Sequence, residues 1–222
     1  MLKPRKRITK QQIKEDKLVT FTAKASSFYT ENSRTIMAVA GVLVVLAVAV
    51  GFFINSRAQA EKTATFDLTL AKIEIGQQNY DTAAEKLTKI IENYSGTRSA
   101  ADALFFLGNV YLSQGNWEQA RATFQRYLSD YGRDRQLAPA ATAGIGLADE
   151  QEKEFQEAAQ QYLQAADRYP QMYNAPQYLL DAGRCFGLAG DTARAREMFQ
   201  SIIDRYPKSE LKTQAEDELN RW

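Results

Sequence analysis

Four times along the chain the same frame of residues returns, and this periodicity limits the possible folds more than any other feature. Tyr80-Asp-Thr-Ala83 followed by Leu87, Ile90 and Tyr94 matches Trp117-Glu-Gln-Ala120 followed by Phe124, Tyr127 and Tyr131. The frame returns as Phe155, Ala158, Tyr162, Ala165 and Pro170, and again as Ala195, Phe199, Ile202 and Pro207. A helix-like run precedes each, with a small residue at one fixed place: Ala71, Gly108, Gly146 and Gly183. The units begin near Ala64, Ala101, Pro139 and Pro176, so they are spaced by 37, 38 and 37 residues. A fixed period of this length, built from two helical runs, predicts stacked helix pairs, because no single pair can bury its apolar face alone.

The residue types fit that role. Gly108, Gly146 and Gly183 are placed where the first helix of a pair meets the second, with Ala83, Ala120, Ala158 and Ala195 as the reciprocal small surface. Phe124, Tyr162 and Phe199 are expected to fill the space between neighbouring pairs. Pro139 and Pro176 open helices, where a missing N–H costs little, and Pro170 and Pro207 follow their ends.

The order Leu107-Gly108, Tyr111, Ala120, Phe124, then Tyr162, Ala165 and Pro170, resembles the tetratricopeptide repeat. The second unit matches best, with Gly132 in place of the closing proline and Tyr127 in place of the second alanine. Unit three has Thr142 at the bulky position and Asp149 at the tyrosine; unit one has Ala71 for glycine and Glu74 for tyrosine. The resemblance covers about residues 62 to 222. It implies an all-α fold, a tetratricopeptide-like α-solenoid of about four helix pairs (64–97, 101–134, 139–172 and 176–209) closed by a capping helix over 211–222. In that helix Leu211, Ala215, Leu219 and Trp222 share one face, with Ser209 as N-cap.

Ahead of the repeats, Thr35 to Ile54 reads TIMAVAGVLVVLAVAVGFFI, twenty residues without a charge. At about 1.5 Å per residue these make roughly 30 Å of helix, the thickness of a bilayer core. Ala58-Gln59-Ala60 has the form of a signal-peptidase site, but the apolar part of a signal peptide runs about 7–15 residues, so an uncleaved anchor is expected. Residues 1–34 hold nine Lys/Arg against three acidic residues, a net of +6, while the chain as a whole carries +1. The positive-inside rule then puts the N-terminus in the cytosol and residues beyond a 55–63 linker on the far side, with the span continuing as helix towards Glu61. In the tail, Thr9-Lys-Gln-Gln12 has capping-box form, and Leu18, Phe21, Ala25 and Phe28 share a helical face that suits either lipid or a membrane partner.

No imidazole chemistry is available, because the chain has no histidine. Its single cysteine, Cys185, rules out an intrachain disulfide and Cys-pair metal motifs; it is placed inside a helix as a small buried residue. The acidic run Asp149-Glu150-Gln151-Glu152-Lys153-Glu154 is expected to be a solvated helix end rather than a hard-metal site. Gly187-Leu-Ala-Gly190-Asp191 lacks the Gly-Lys-Ser/Thr of a phosphate loop and falls at a turn between paired helices. Arg5-Lys6-Arg7 fits anionic lipid and topology better than nucleic acid. No catalytic residue, metal or cofactor is implied.

Binding remains. The resemblance implies that the first helices line a concave face, which the register populates with Asp102, Phe105, Asn109 and Leu112, then Leu147 and Gln151, then Leu180, Arg184 and Leu188. An apolar strip with one amide and one guanidinium suits an extended or helical peptide, unless these apolar residues pack inside the superhelix. A short basic tail, one span and a repeat domain together resemble the YfgM-like ancillary subunits of the SecYEG translocon. That resemblance implies a bacterial inner-membrane protein with periplasmic repeats, partnering the translocon or periplasmic chaperones. The Tyr-Ser-Gly-Thr-Arg-Ser-Ala link at 94–100 is similar to one in the Tol-Pal-associated envelope coordinator. A structural subunit of another membrane complex is the third possibility.

Overall fold

The computed structural model describes residues 10–132 and 134–221, with side chains from Val19 onward. Every regular element among the described residues is helical. In chain order these are α1 (Lys10–Gly76), α2 (Tyr80–Asn93), α3 (Arg98–Ser113), α4 (Trp117–Tyr131) and α5 (Ala138–Gln151). They continue with α6 (Phe155–Arg168), α7 (Ala175–Leu188), α8 (Thr192–Arg205) and α9 (Lys212–Arg221). The chain divides into two compact units, one ending at Arg57 and one beginning at Ala58.

In the first unit, α1 carries the apolar stretch, and it is the one helix among the described residues long and apolar enough to cross a membrane. Its backbone leaves helical geometry at Asn32 (φ −112°, ψ 15°), where the side-chain amide donates to the Phe28 carbonyl at 3.1 Å. An asparagine that satisfies a carbonyl itself competes with the helical ladder, which accounts for the break between the tail and the apolar run. Phe21 and Phe28 are both exposed. The capping box at Thr9 and the side chains of Gln12 and Leu18 lie outside the described residues. Residues 55–63, expected as a linker, are helical throughout, for Asn55 to Thr63 contains neither Gly nor Pro to stop the helix.

The second unit is the solenoid. The end of α1 pairs with α2, then α3 with α4, α5 with α6 and α7 with α8, and α9 packs on α8. All four pairs turn the same way. A residue in left-handed conformation follows each first helix: Gln78 (φ 62°), Gly115 (φ 74°), Lys153 (φ 67°) and Gly190 (φ 85°). The next N–H then reaches back five residues, Asn79 to Glu74, Asn116 to Tyr111, Glu154 to Asp149 and Asp191 to Phe186, each at 2.9 Å. This is the Schellman arrangement, and the residue that closes it is also the N-cap of the following helix. A turn this short forces the two helices into an antiparallel pair. Asp191 adds a side-chain cap, accepting from the Arg194 N–H at 3.1 Å.

The pairs lock through glycines facing aromatic rings. A methyl group at Gly108 would lie 2.7 Å from Phe124 Cε1, and one at Gly183 would lie 2.6 Å from Phe199 Cε1. Phe124 is fully buried, and its other edge faces Gly144 of the next pair, where a methyl group would come within 2.5 Å of Cε2. The ring is thus held between Gly108 and Gly144, which is how one pair registers on the next. Two tyrosines tie successive closing turns: Tyr206 donates to the Pro170 carbonyl at 2.9 Å and Tyr169 to that of Gly132 at 3.5 Å.

Departures from the repeat pattern are chemically compensated. Thr142, buried at the bulky position, donates its hydroxyl to the Ala138 carbonyl at 2.9 Å. Glu74, at the tyrosine position of unit one, pairs with Lys86 of α2 at 2.6 Å. At the C-terminal end, Ala215 is buried with Leu211 and Leu219 against it, and Arg196 donates to the Leu219 carbonyl at 2.6 Å. Trp222 lies outside the described residues.

Candidate protein-binding face

The first helices α3, α5 and α7 succeed one another, α3 touching α5 directly, so their residues at equivalent register positions fall on one side of the stack. The residues singled out from the sequence divide into three groups there. Leu180 is only 6% exposed and sits in the second core cluster, so it packs inside the superhelix rather than on a groove surface. Phe105 is half-buried, its ring 5.8 Å from those of Phe106 and Phe124 and 5.9 Å from that of Tyr127. Leu112 is likewise half-buried against the first cluster. Leu147 (37% exposed) and Leu188 (48% exposed), with the exposed Gln151, are the residues of this set that reach solvent most.

The polar members are engaged. Asn109 donates its amide to the Phe105 carbonyl at 2.9 Å, one turn back on its own helix. Arg184 grips Glu150 of α5 with both arms, Nη1 to Oε1 at 2.7 Å and Nη2 to Oε2 at 2.8 Å, and approaches Asp181 at 3.5 Å. Glu150 also accepts from the Tyr162 hydroxyl at 3.2 Å and from the Cys185 thiol at 3.5 Å. One carboxylate therefore joins α5, α6 and α7. Burial pushes the Glu150 carboxyl up, but the hydrogen bonds and charge of Arg184 outweigh it, and the group ends below its ordinary range. Hydrogen bonding to Glu150 holds the Arg184 guanidinium firmly protonated. Burial raises Asp181 and Asp102 above the usual carboxylate range. It also pushes the Cys185 thiol up to about 12, so this buried sulfur is no nucleophile at neutral pH.

The acidic run that ends α5 is not simply solvated, as its composition suggests. Asp149 is buried and accepts from Arg121 Nε at 2.6 Å, and the same guanidinium reaches Glu152 and, at 3.3 Å, Glu154. Carboxylate oxygens of Asp149, Glu152 and Glu154 lie within 4.8 Å of one another, a spacing that a cation could use. The cation is Arg121, from the preceding pair. Nothing within the run marks this partner, which lies 28 residues away from Asp149. The role of Glu61 is equally unmarked in the local sequence. Its carboxylate accepts from the N–H groups of Arg98 and Ser99 at 2.8 and 3.1 Å and from the Ser99 hydroxyl at 2.7 Å, capping α3 from α1.

Comparison with known proteins agrees with this architecture. Residues 68–139 and 177–209 each match tetratricopeptide-repeat family models. No curated protein matches the sequence. Among solved structures, the apo form of RapI superposes with a TM-score of 0.60 at 14% identity, over 68% of this chain and 44% of RapI. A tetratricopeptide repeat protein from Parabacteroides merdae ATCC 43184 gives 0.59 at 15% identity, over 73% of this chain and 60% of the other. YrrB, described as a TPR protein with an unusual peptide-binding site, gives 0.54 at 19% identity, over 69% and 74%. The chain thus spans less than two thirds of the first two of these structures. Tetratricopeptide domains bind peptides or proteins and are typically non-catalytic interaction scaffolds. This chain is an all-α solenoid of the tetratricopeptide-like fold, with repeats of that family matched over 68–139 and 177–209 and one N-terminal apolar helix that could span a membrane.

Proposed function

We propose that the chain is a membrane-anchored, non-enzymatic scaffold whose first-helix face takes extended or helical segments of other proteins. The repeats would lie in the bacterial periplasm, held by Thr35–Ile54, beside the SecYEG translocon or a periplasmic chaperone. The observation that carries the binding reading is the pair of exposed leucines, Leu147 and Leu188, flanking the Arg184–Glu150 ion pair on one side of the stack. Apolar side chains beside a fixed guanidinium can hold a peptide's side chains while orienting its carbonyl or carboxylate groups. Asn109, Leu112 and Phe105 extend that side on α3, with their outward edges rather than whole side chains available. The charge asymmetry across the apolar run supports the orientation, and the tail, span and repeat order supports the translocon-associated reading.

The test is photocrosslinking in cells, with the probe at Leu147 or Leu188 and, separately, at Phe21 or Phe28. Adducts with secretory chains or their chaperones at the two leucines, weakened by Arg184→Ala, are the expected result. Adducts confined to Phe21, Phe28 and the span would overturn it in favour of a structural subunit whose repeats act as a brace.

A further inference from the structure

The two ends of the solenoid are finished differently. At the C-terminal end, α9 covers the last pair and leaves a charged outer surface, as a terminal repeat needs. At the N-terminal end, α1 buries Ala64, Leu68 and Ala71 against the first pair, yet its opposite side carries Phe66 (65% exposed), Leu70 (37%) and Ile73 (50%). Those three are spaced by four and three residues, the alternation of a two-stranded helical seam. Thr63 and Gln77 extend the same line by one step each way. Thus α1 has two apolar sides, and the solenoid satisfies one of them.

We propose that the Phe66–Leu70–Ile73 face is a homodimer interface, pairing with the same face of a second copy in parallel and in register. The flanking charges select that occupant and that direction. In a parallel pair the residue just before one seam position faces the residue five places further along on the partner. Lys62 then meets Asp67 of the second copy, and by symmetry Asp67 meets Lys62, giving two attractive contacts. Lys62 is exposed, and Asp67, half-buried at the edge of the stripe, also accepts from the Tyr94 hydroxyl of its own chain. An antiparallel pair centred on Leu70 forms no such contact, for it brings Asp67 against Glu74, whose charge is already held by Lys86. The interface leaves α3, α5 and α7 free, so it is independent of the proposed binding face.

The test uses the full chain in detergent and in nanodiscs. Ile73→Cys should form a disulfide-linked dimer under mild oxidation, whereas the unsubstituted chain, with Cys185 buried, should not. Sedimentation should give a dimeric mass. Lys62→Glu should raise the dimer dissociation constant about tenfold or more, and Lys62→Glu combined with Asp67→Lys should restore it. Phe66→Ser should dissociate the dimer without lowering helicity or thermal stability, because that ring is mainly exposed in the single chain. A monomeric mass for the unsubstituted chain, or residue 73 crosslinking only to lipid or to a different protein, would overturn the proposal. Ile73→Cys dimers unaffected by Lys62→Glu would refute the parallel register.

Discussion

Gly108→Ala is the smallest change that should disturb the stack, and its size can be worked from the geometry. The new methyl group would sit 2.7 Å from Phe124 Cε1, closer than van der Waals contact allows. The ring cannot swing clear, because its far edge already faces the Gly144 backbone, where even a methyl group would come within 2.5 Å. Relief therefore requires α3 and α4, or α4 and α5, to separate by part of an ångström. Overpacking of this kind costs about 1–3 kcal/mol. Alanine in a helix interior offsets this by about 1 kcal/mol through propensity. A net loss of about 0–2 kcal/mol is expected, in place of the gain of about 1 kcal/mol that alanine gives in an open helix. Urea unfolding of residues 58–222 measures it, with Gly76→Ala as control, since nothing lies within 4 Å of a methyl group there. Phe124→Leu in the Gly108→Ala background should recover part of the loss, with a coupling of about 1–2 kcal/mol. If Gly108→Ala stabilises the domain as much as alanine does in an open helix, the ring-on-glycine packing is wrong.

Further changes probe the turns and the ion pairs. Lys153→Gly and Gln78→Gly should each stabilise by about 0.5–1 kcal/mol, read as a higher Tm, because both residues adopt a left-handed conformation that side chains disfavour. Glu150→Gln should cost about 1–2 kcal/mol at pH 7, between the exposed and buried limits for an ion pair, since Arg184 is partly solvated. The folded Glu150 carboxyl lies below its ordinary value of 4.5, so its contribution is present above that pH and is lost as pH falls through the folded value. The stability gap between the unsubstituted chain and Glu150→Gln should therefore close on acidification from pH 5 downward. Asp149 and Asp181 are raised by burial and act in the opposite sense, so Glu150→Gln itself should lose less stability in acid.

Much of the fold is legible in the residues because a repeat states its own alignment. Gly108, Gly183 and the prolines at 139 and 176 sit where the period puts them, and each has a local physical reason to be there. The left-handed turn residues are legible at Gly115 and Gly190 but not at Gln78 and Lys153, where the Schellman bonds impose the conformation on residues that do not advertise it. Side-chain partnerships are not legible in this way. Glu150 with Arg184, Arg121 with Asp149 and Glu61 with α3 all join positions 28 to 38 residues apart, and nothing local marks which charge meets which. Among the residues expected on the binding face, periodicity could not separate Leu180 from Leu147. Both are apolar positions on first helices, and only the stacking of α7 on its neighbours decides which is covered.

The measurement that bears most directly on an anchored scaffold with its repeats outside the cytosol is thiol labelling of intact spheroplasts with an impermeant reagent. Tyr173→Cys reports on the repeats, since that side chain is 89% exposed, and Ser27→Cys reports on the tail, where the side chain is also exposed. Labelling at residue 173 without lysis, and at residue 27 only after lysis, is the expected result. Labelling at residue 27 in intact spheroplasts with protection at residue 173 would contradict it.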